Sequence, residues 1–123
     1  MSRRLGLAVT AALLPLAASL GPLASEAVAL RSLSQCQSGY LCVWSGSGYT
    51  GTIQRFRATG TYRPITVDRV KSVYNHRAGR AFVHEGSGGG GVFACFSPGE
   101  RVSETSGWVQ RAGSVYLSAS ANC

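Results

Sequence analysis

The chain has 123 residues, with 12 Lys or Arg against 5 Asp or Glu and a formal net charge of +7 at pH 7. That length corresponds to one domain, and a domain this small buries only about two-thirds of its unfolded surface. When the first 29 residues are left out, because they resemble a leader described below, ten basic and four acidic side chains remain, for a net charge of +6. Such a charge favours contact with anionic cell envelopes or acidic protein surfaces.

The start of the chain has the three parts of a secretory signal peptide. Arg3-Arg4 is followed by an apolar stretch over residues 5–24 and by the small-x-small pattern Ala27-Val28-Ala29. A retained membrane anchor is the alternative, but two prolines and a glycine interrupt the stretch. We therefore interpret residues 1–29 as a cleaved signal peptide and residues 30–123 as a secreted, extracellular domain without a membrane span.

All four cysteines, Cys36, Cys42, Cys95 and Cys123, follow that leader. An even number in a short exported chain indicates a disulfide framework. Three connectivities are possible; Cys36 and Cys42 are close enough in sequence to pair locally, which leaves Cys95 with Cys123. Because no Cys-x-x-Cys occurs and the two histidines lack finger spacing, we expect no zinc site, no other metal site and no cofactor.

Short runs rich in aromatic and β-branched residues, separated by glycine- and serine-rich turns, predict β-strands throughout the mature chain. No sustained period of 3.6 residues indicates a helix. The predicted strands are Leu41–Trp44, Thr52–Arg57, Val70–Tyr74, Ala81–His84, Val92–Phe96 and Ser114–Leu117.

The mature sequence also contains an internal repeat. Val43-Trp44 aligns with Val83-His84, and a glycine follows seven residues later in each copy, at Gly51 and Gly91. The next strands align as well, as do Lys71–Tyr74 and Gly113–Tyr116. Two copies of about forty residues, the first over about 36–77 and the second over about 78–123, predict a sandwich of paired Greek keys.

This pattern resembles the βγ-crystallin Greek-key motif, and the resemblance spans nearly all of residues 36–123. It implies an all-β, βγ-crystallin-like sandwich of two Greek-key motifs, cross-linked by two disulfides. We expect His84 to be a half-buried strand residue and each serine to bond the hairpin turn of its own unit. The matching residues are Trp44, Tyr49, Gly51, Phe56 and Ser72 in the first copy and His84, Gly91, Phe96 and Ser114 in the second.

The opening Cys36-x5-Cys42-Val43-Trp44 resembles that of the Streptomyces metalloproteinase inhibitors, secreted proteins of actinomycetes with a βγ-crystallin-like domain. The resemblance implies a peptidase inhibitor with a rigid, extended reactive loop clamped by two nearby cysteines. Only Cys95 lies in the corresponding region here. The candidate protease-contact loop is the segment after it, which also fits an ordinary surface turn: Phe96, Ser97, Pro98 and Gly99.

Microbial βγ-crystallins often bind calcium, and the equivalent positions of this sequence lie in Val67–Ser72. Asp68 and Ser72 are retained, but Val67 and Lys71 stand where oxygen ligands are needed, and the second copy has no acid. We expect no functional calcium site, although the residues leave open a weak affinity at Asp68.

Other activities lack their motifs. Neither Gly-x-Ser-x-Gly nor His-Glu-x-x-His occurs, so we predict no catalytic residues and no enzyme activity. The glycine run 86–91 lacks the Gly-Lys-Ser/Thr of a phosphate loop, and its composition predicts a mobile hairpin connection. Arginine alternates with apolar residues over Gln54–Arg57, as in single-stranded nucleic-acid binders, but export removes such partners.

The sequence therefore predicts a monomeric, secreted inhibitor of extracellular metallo- or serine peptidases that acts through a rigid surface loop. The alternative is a basic crystallin-like effector, a toxin or an envelope-binding protein, without inhibitory activity.

Overall fold

The computed structural model describes residues 30–123, so the predicted signal peptide lies outside the described residues. Within them, one helical turn over residues 30–33 precedes eight strands. These are β1 (Tyr40–Gly46), β2 (Thr50–Phe56), β3 (Tyr62–Pro64), β4 (Ser72–His76), β5 (Ala81–His84), β6 (Phe93–Phe96), β7 (Arg101–Val102) and β8 (Ser114–Leu117). Short 3-10 helices cover Ser87–Gly89 and Gly107–Arg111. In this part of the chain no helix has the length and apolar character to cross a membrane.

The strands form two four-stranded antiparallel sheets. The first sheet has the order β2-β1-β4-β7 and the second sheet the order β3-β8-β5-β6. Each unit of the repeat places three strands in one sheet and its third strand, β3 or β7, in the other. This exchange interlocks two Greek keys, and it confirms the predicted βγ-crystallin-like sandwich.

Two of the six predicted strands, Ala81–His84 and Ser114–Leu117, have the predicted bounds, and the other strands differ at their ends. The largest difference is at β4, which begins at Ser72 because the Val70 amide donates to the Gln110 carbonyl instead of joining the sheet. The exchanged strands β3 and β7 were not predicted. They contain only three and two residues, and all of β3 is solvent-exposed at a sheet edge, where Pro64 is tolerated.

The main hydrophobic core lies between the sheets and draws on both units equally. Alternate residues of the strands point inward, as the two-residue period of a strand requires. The buried members are Leu41, Val43, Phe56, Val70 and Val73 from the first unit and Ala81, Val83, Phe96, Val115 and Leu117 from the second.

The outer face of the first sheet carries a second buried cluster. Trp44 is fully buried there, with the Tyr49 ring edge-on at 5.3 Å between centroids. Burial raises the pKa of the Tyr49 phenol, and the charge of Arg101 partly opposes this shift. Leu33 and the disulfide between Cys36 and Cys42 pack over these rings. The segment before β1 therefore covers this face of the sheet.

The repeat also determines how each unit closes its long hairpin. In the first unit the Ser72 hydroxyl donates to the Gly46 carbonyl and accepts from the Tyr49 amide, over 2.7 and 3.0 Å. In the second, the Ser114 hydroxyl makes the equivalent bonds to Gly86 and Gly89, over 2.6 and 2.9 Å. Both serines are fully buried, so their hydroxyls need these backbone groups as hydrogen-bond partners.

Glycine is required where each hairpin folds back. Gly51 and Gly91 both have positive φ, at 81° and 72°, a conformation that other residues adopt only with strain. A Cβ at Gly51 would meet the Ser45 hydroxyl, and one at Gly91 would meet the Glu85 carboxylate. Positive φ and the lack of space for a Cβ therefore explain why both units have glycine at this position.

Candidate functional site

The predicted contact loop is a tight turn between β6 and β7. The Glu100 amide donates to the Ser97 carbonyl over 3.0 Å, and the Ser97 amide donates to the Glu100 carboxylate over 2.9 Å. Pro98 stands at the second position and Gly99, with φ of 80°, at the third. Those are the features of a type II turn. We call residues 97–100 the Ser97–Glu100 turn.

A buried asparagine of the first unit fixes this turn. Asn75 is fully buried, and its side-chain amide donates to the carbonyls of Phe96 and Ser97, over 2.9 and 3.2 Å. Its backbone carbonyl accepts from the Gly99 amide over 2.7 Å, and its backbone amide donates to the Glu100 carbonyl over 2.9 Å. The turn is thus hydrogen-bonded to the neighbouring sheet along its whole length.

The same asparagine also holds the connection between the two units. Its side-chain amide donates to the Gly79 carbonyl over 3.0 Å. The guanidinium of Arg77 donates to the carbonyls of Arg80 and Ser118, over 2.8 and 3.1 Å, and burial lowers the pKa of this side chain. Asn75 therefore links the turn to the segment that connects the two units.

The structure places one residue of the predicted loop elsewhere. The side chain of Phe96 belongs to the core between the sheets, where it is only 5% exposed, so it does not lie at a contact surface. The rest of the segment is the surface turn that Pro98 and Gly99 predict, because Gly99 reverses the chain. In the turn, Ser97 and Pro98 are half-buried, and Gly99 and Glu100 are exposed.

The structure pairs Cys95 with Cys123 and Cys36 with Cys42, which is the pairing indicated by the sequence. Cys95 lies opposite Phe82 in the ladder of β5 and β6 and one residue before Phe96. The disulfide therefore lies on the outer face of the second sheet and holds the strand that leads into the Ser97–Glu100 turn.

That outer face carries a cluster of rings that no motif in the sequence predicts. His84 contacts Tyr62 and Phe93, with centroids 5.3 and 5.5 Å apart; Tyr116 lies 4.9 Å from Tyr62, and Phe82 lies 5.5 Å from Phe93. They line an open pocket of about 340 Å³. We call these five residues, which come from four strands, the aromatic patch.

Tyr62 takes the place of a residue that the second unit lacks. In the first unit Tyr49 packs edge-on against Trp44, whereas the aligned pair in the second unit is Gly89 and His84. The Tyr62 ring, from the exchanged strand β3, fills the space over Gly89 and meets His84 edge-on, with the planes at 79°. The sequence signal for this difference is Gly89, which stands in the second unit where the first unit has Tyr49.

His84 is more buried than expected. Only 8% of it is exposed, and its Nδ1 is buried with no hydrogen-bond partner among the described residues. The aligned Trp44 differs, because its indole N–H donates to the Gln35 carboxamide over 3.3 Å.

The glycine run after His84 is hydrogen-bonded within itself. The Gly86 amide donates to the Gly90 carbonyl over 2.8 Å, and the Gly90 amide donates to the Ser87 carbonyl over 3.1 Å. Together with the bonds of Ser114, these contacts give the run a defined conformation.

The positions equivalent to the calcium site of microbial βγ-crystallins do not assemble a ligand set. Asp68 is exposed in the connection between β3 and β4. No group of three or more His, Cys, Asp or Glu side chains within residues 30–123 could hold a metal ion. Ser72 and Ser114 bond the hairpins of their own units instead.

Arginines surround a groove of about 360 Å³ between β2 and β3. Arg57 lies over the Tyr40 ring at 5.6 Å, and the Nε of Arg55 donates to the Gln35 carbonyl. Arg63 lines the same groove and is exposed. Arg55 of β2, Arg57 just after that strand and Arg63 of β3 thus form a basic outer surface.

Comparison with solved structures agrees with this architecture. The chain is similar to a structure described as "Evolution of the eye lens beta-gamma-crystallin domain fold", with a TM-score of 0.54 and 13% sequence identity. The match covers 68% of this chain and 89% of the other. At that identity the likeness shows the fold alone.

Comparison with sequences gives the family. No curated protein matches the chain. The model of peptidase inhibitor family I36 matches residues 29–96, which include the Cys36–Trp44 opening and end just before the Ser97–Glu100 turn. Because these residues are more than half of the sequence, the chain belongs to peptidase inhibitor family I36.

Proposed function

We propose that the protein is secreted and inhibits an extracellular metallo- or serine peptidase by placing the Ser97–Glu100 turn in the mouth of the active-site cleft. Membership of the family supplies the peptidase partner. Two disulfides within residues 30–123 support an oxidising, extracellular location.

The observation that carries the proposal is the attachment of the turn to the buried Asn75. An inhibitory segment binds tightly when little conformational entropy is lost on docking. Here the turn is fixed by the bonds of Asn75 and by the disulfide at Cys95, although the second clamping cysteine is absent. Because the segment is a turn, it would block the cleft by filling it rather than by lying along it like a substrate.

A negative charge at the tip of the turn tests this contact. Pro98→Asp is expected to weaken inhibition by about tenfold or more, since an unpaired carboxylate would be buried in the complex. Inhibition constants would be measured against thermolysin-like and subtilisin-like peptidases. Ala58→Asp is the matched control, because Ala58 aligns with Pro98 in the first unit and is exposed in the equivalent connection.

Two results would count against the proposal. If the unaltered protein inhibits neither class at micromolar concentration, the peptidase classes proposed are wrong. If it inhibits and the two variants have the same inhibition constant, the turn is not the contact surface. Thermal unfolding of both variants would show that each remains folded under the assay conditions.

A second candidate function, binding to anionic envelopes, is favoured by the exposed Arg63 in the arginine-lined groove. We expect binding to phosphatidylglycerol vesicles that weakens steeply with salt. Arg63→Gln is expected to weaken it about fivefold, and the control Arg69→Gln, which is exposed outside the groove, much less. Equal binding of both variants, or binding that is insensitive to salt, would exclude the groove as the site.

A further inference from the structure

The two sheets have equivalent outer faces. Within residues 30–123 a segment lies over the rings of the first face, whereas two large rings of the second face stay exposed. On the first sheet, residues 30–36 lie over Cys42 and Trp44, with Leu33 packed into the cluster. This cover is held by the Cys36–Cys42 disulfide and by a 2.8 Å hydrogen bond between His76 Nδ1 and the Cys36 carbonyl. The molecule itself thus shows what such a face accepts: a short polypeptide segment with an aliphatic side chain.

On the second sheet the aligned positions form the aromatic patch. Phe82, His84, Phe93 and Tyr116 stand where Cys42, Trp44, Ile53 and Tyr74 stand on the first sheet. The C-terminal residues reach this face at the Cys95–Cys123 disulfide, beside Phe82, but among residues 30–123 no segment lies over Tyr62 and Phe93. Phe93 is 58% exposed and Tyr62 49% exposed, although both are large rings that burial would stabilise.

A missing hydrogen bond points to the same difference. On the first sheet the covering segment provides Gln35, which accepts from the Trp44 indole. On the second sheet the aligned His84 has a buried Nδ1 without a partner among residues 30–123. A buried polar atom left without a partner destabilises the folded state. The face thus lacks both the apolar cover and the polar group that its counterpart receives.

The rings of the patch are already fixed in place. Tyr62 packs closely on Gly89, where a Cβ would collide with its ring, and Gly89 is held by the Ser114 hydroxyl. Phe82 is flanked by the Arg80 guanidinium at 5.2 Å and by the Phe93 ring. A surface with fixed rings loses little conformational entropy when a partner docks.

We propose that the aromatic patch is a docking site for a short polypeptide segment of a partner protein. The segment presents an aliphatic side chain to Tyr62 and Phe93 and a polar group to His84. It takes the place that residues 30–36 occupy on the first sheet. A second copy of this chain is disfavoured as the occupant, because two mature domains of charge +6 repel each other. The patch is separate from the Ser97–Glu100 turn, so this inference does not depend on the proposed inhibition.

The test uses random dodecapeptides displayed on phage and selected on the folded, disulfide-bonded protein. We expect enrichment of peptides with a shared aliphatic residue, whose affinity falls about tenfold or more in Phe93→Thr. Val92→Thr is the matched control: Val92 is 53% exposed and adjacent in sequence but does not line the patch. Tyr62→Thr provides a second variant, from a different strand.

Several outcomes would overturn the inference. One is no enrichment; another is enriched peptides that bind Phe93→Thr and Val92→Thr equally. Sedimentation that shows a dimer lost in Phe93→Thr would assign the patch to a second copy, and binding of chitotetraose lost in the same variant would assign it to a glycan. Peptidase assays on Phe93→Thr distinguish this inference from the proposed inhibition. If Phe93→Thr inhibits as the unaltered protein does and Pro98→Asp does not, the turn proposal holds whatever binds the aromatic patch.

Discussion

Trp44→Ala is expected to lower the free energy of unfolding by about 3–5 kcal/mol, the range for loss of a large buried ring. Trp44 is fully buried beneath residues 30–36, contacts Tyr49 edge-on and donates to Gln35. Its removal opens a cavity and also detaches the covering segment from the first sheet. Urea-induced unfolding with the disulfides intact would measure the loss.

The matched variant is His84→Ala at the aligned position of the second unit. We expect a loss of only about 1 kcal/mol, a typical value for a single substitution, because no covering segment depends on this ring. Removal of the unpartnered Nδ1 also offsets part of the lost packing. If both variants lose the same free energy of unfolding, the covering segment over Trp44 is not what distinguishes the two outer faces.

Much of the fold could be predicted because the repeat is encoded locally. Gly51 and Gly91 mark hairpins that only a residue without a Cβ can form, and Ser72 and Ser114 lie at a constant position after them. These constraints act within one unit, so an alignment of the two copies shows them. The family match further confirms the prediction that the chain belongs to a family of peptidase inhibitors, which are not enzymes.

The exchanged strands and the site could not be predicted in the same way, because they depend on contacts between the units. Strand β7 has two residues, and β3 is exposed along its length, so neither has a periodic pattern. The aromatic patch requires Tyr62 of the first unit to replace a side chain absent at Gly89 of the second. Similarly, Asn75 fixes a turn more than twenty residues later, and nothing near it in sequence indicates that partner.

The largest expected effect on the proposed inhibitory surface is that of Cys95→Ser/Cys123→Ser. Its disulfide closes a loop with a sequence separation of 28, for which the chain-entropy estimate gives about 3.5 kcal/mol of stability. Because Cys95 also holds the strand before the Ser97–Glu100 turn, we expect inhibition per folded molecule to weaken too. Urea unfolding and inhibition constants, measured below the unfolding transition, separate the two effects.

Cys36→Ser/Cys42→Ser is the control, with a sequence separation of 6 and a loop-closure term of about 2 kcal/mol. Its total loss of stability should exceed that term, because both cysteines are buried in the Trp44 cluster, where polar hydroxyls would replace apolar sulfur atoms. Its inhibition should remain unchanged while the protein is folded, since this disulfide lies on the other sheet. If both double variants lose inhibition equally, overall stability and not the anchoring of the turn controls activity, and the proposal that the turn acts as a rigid contact fails.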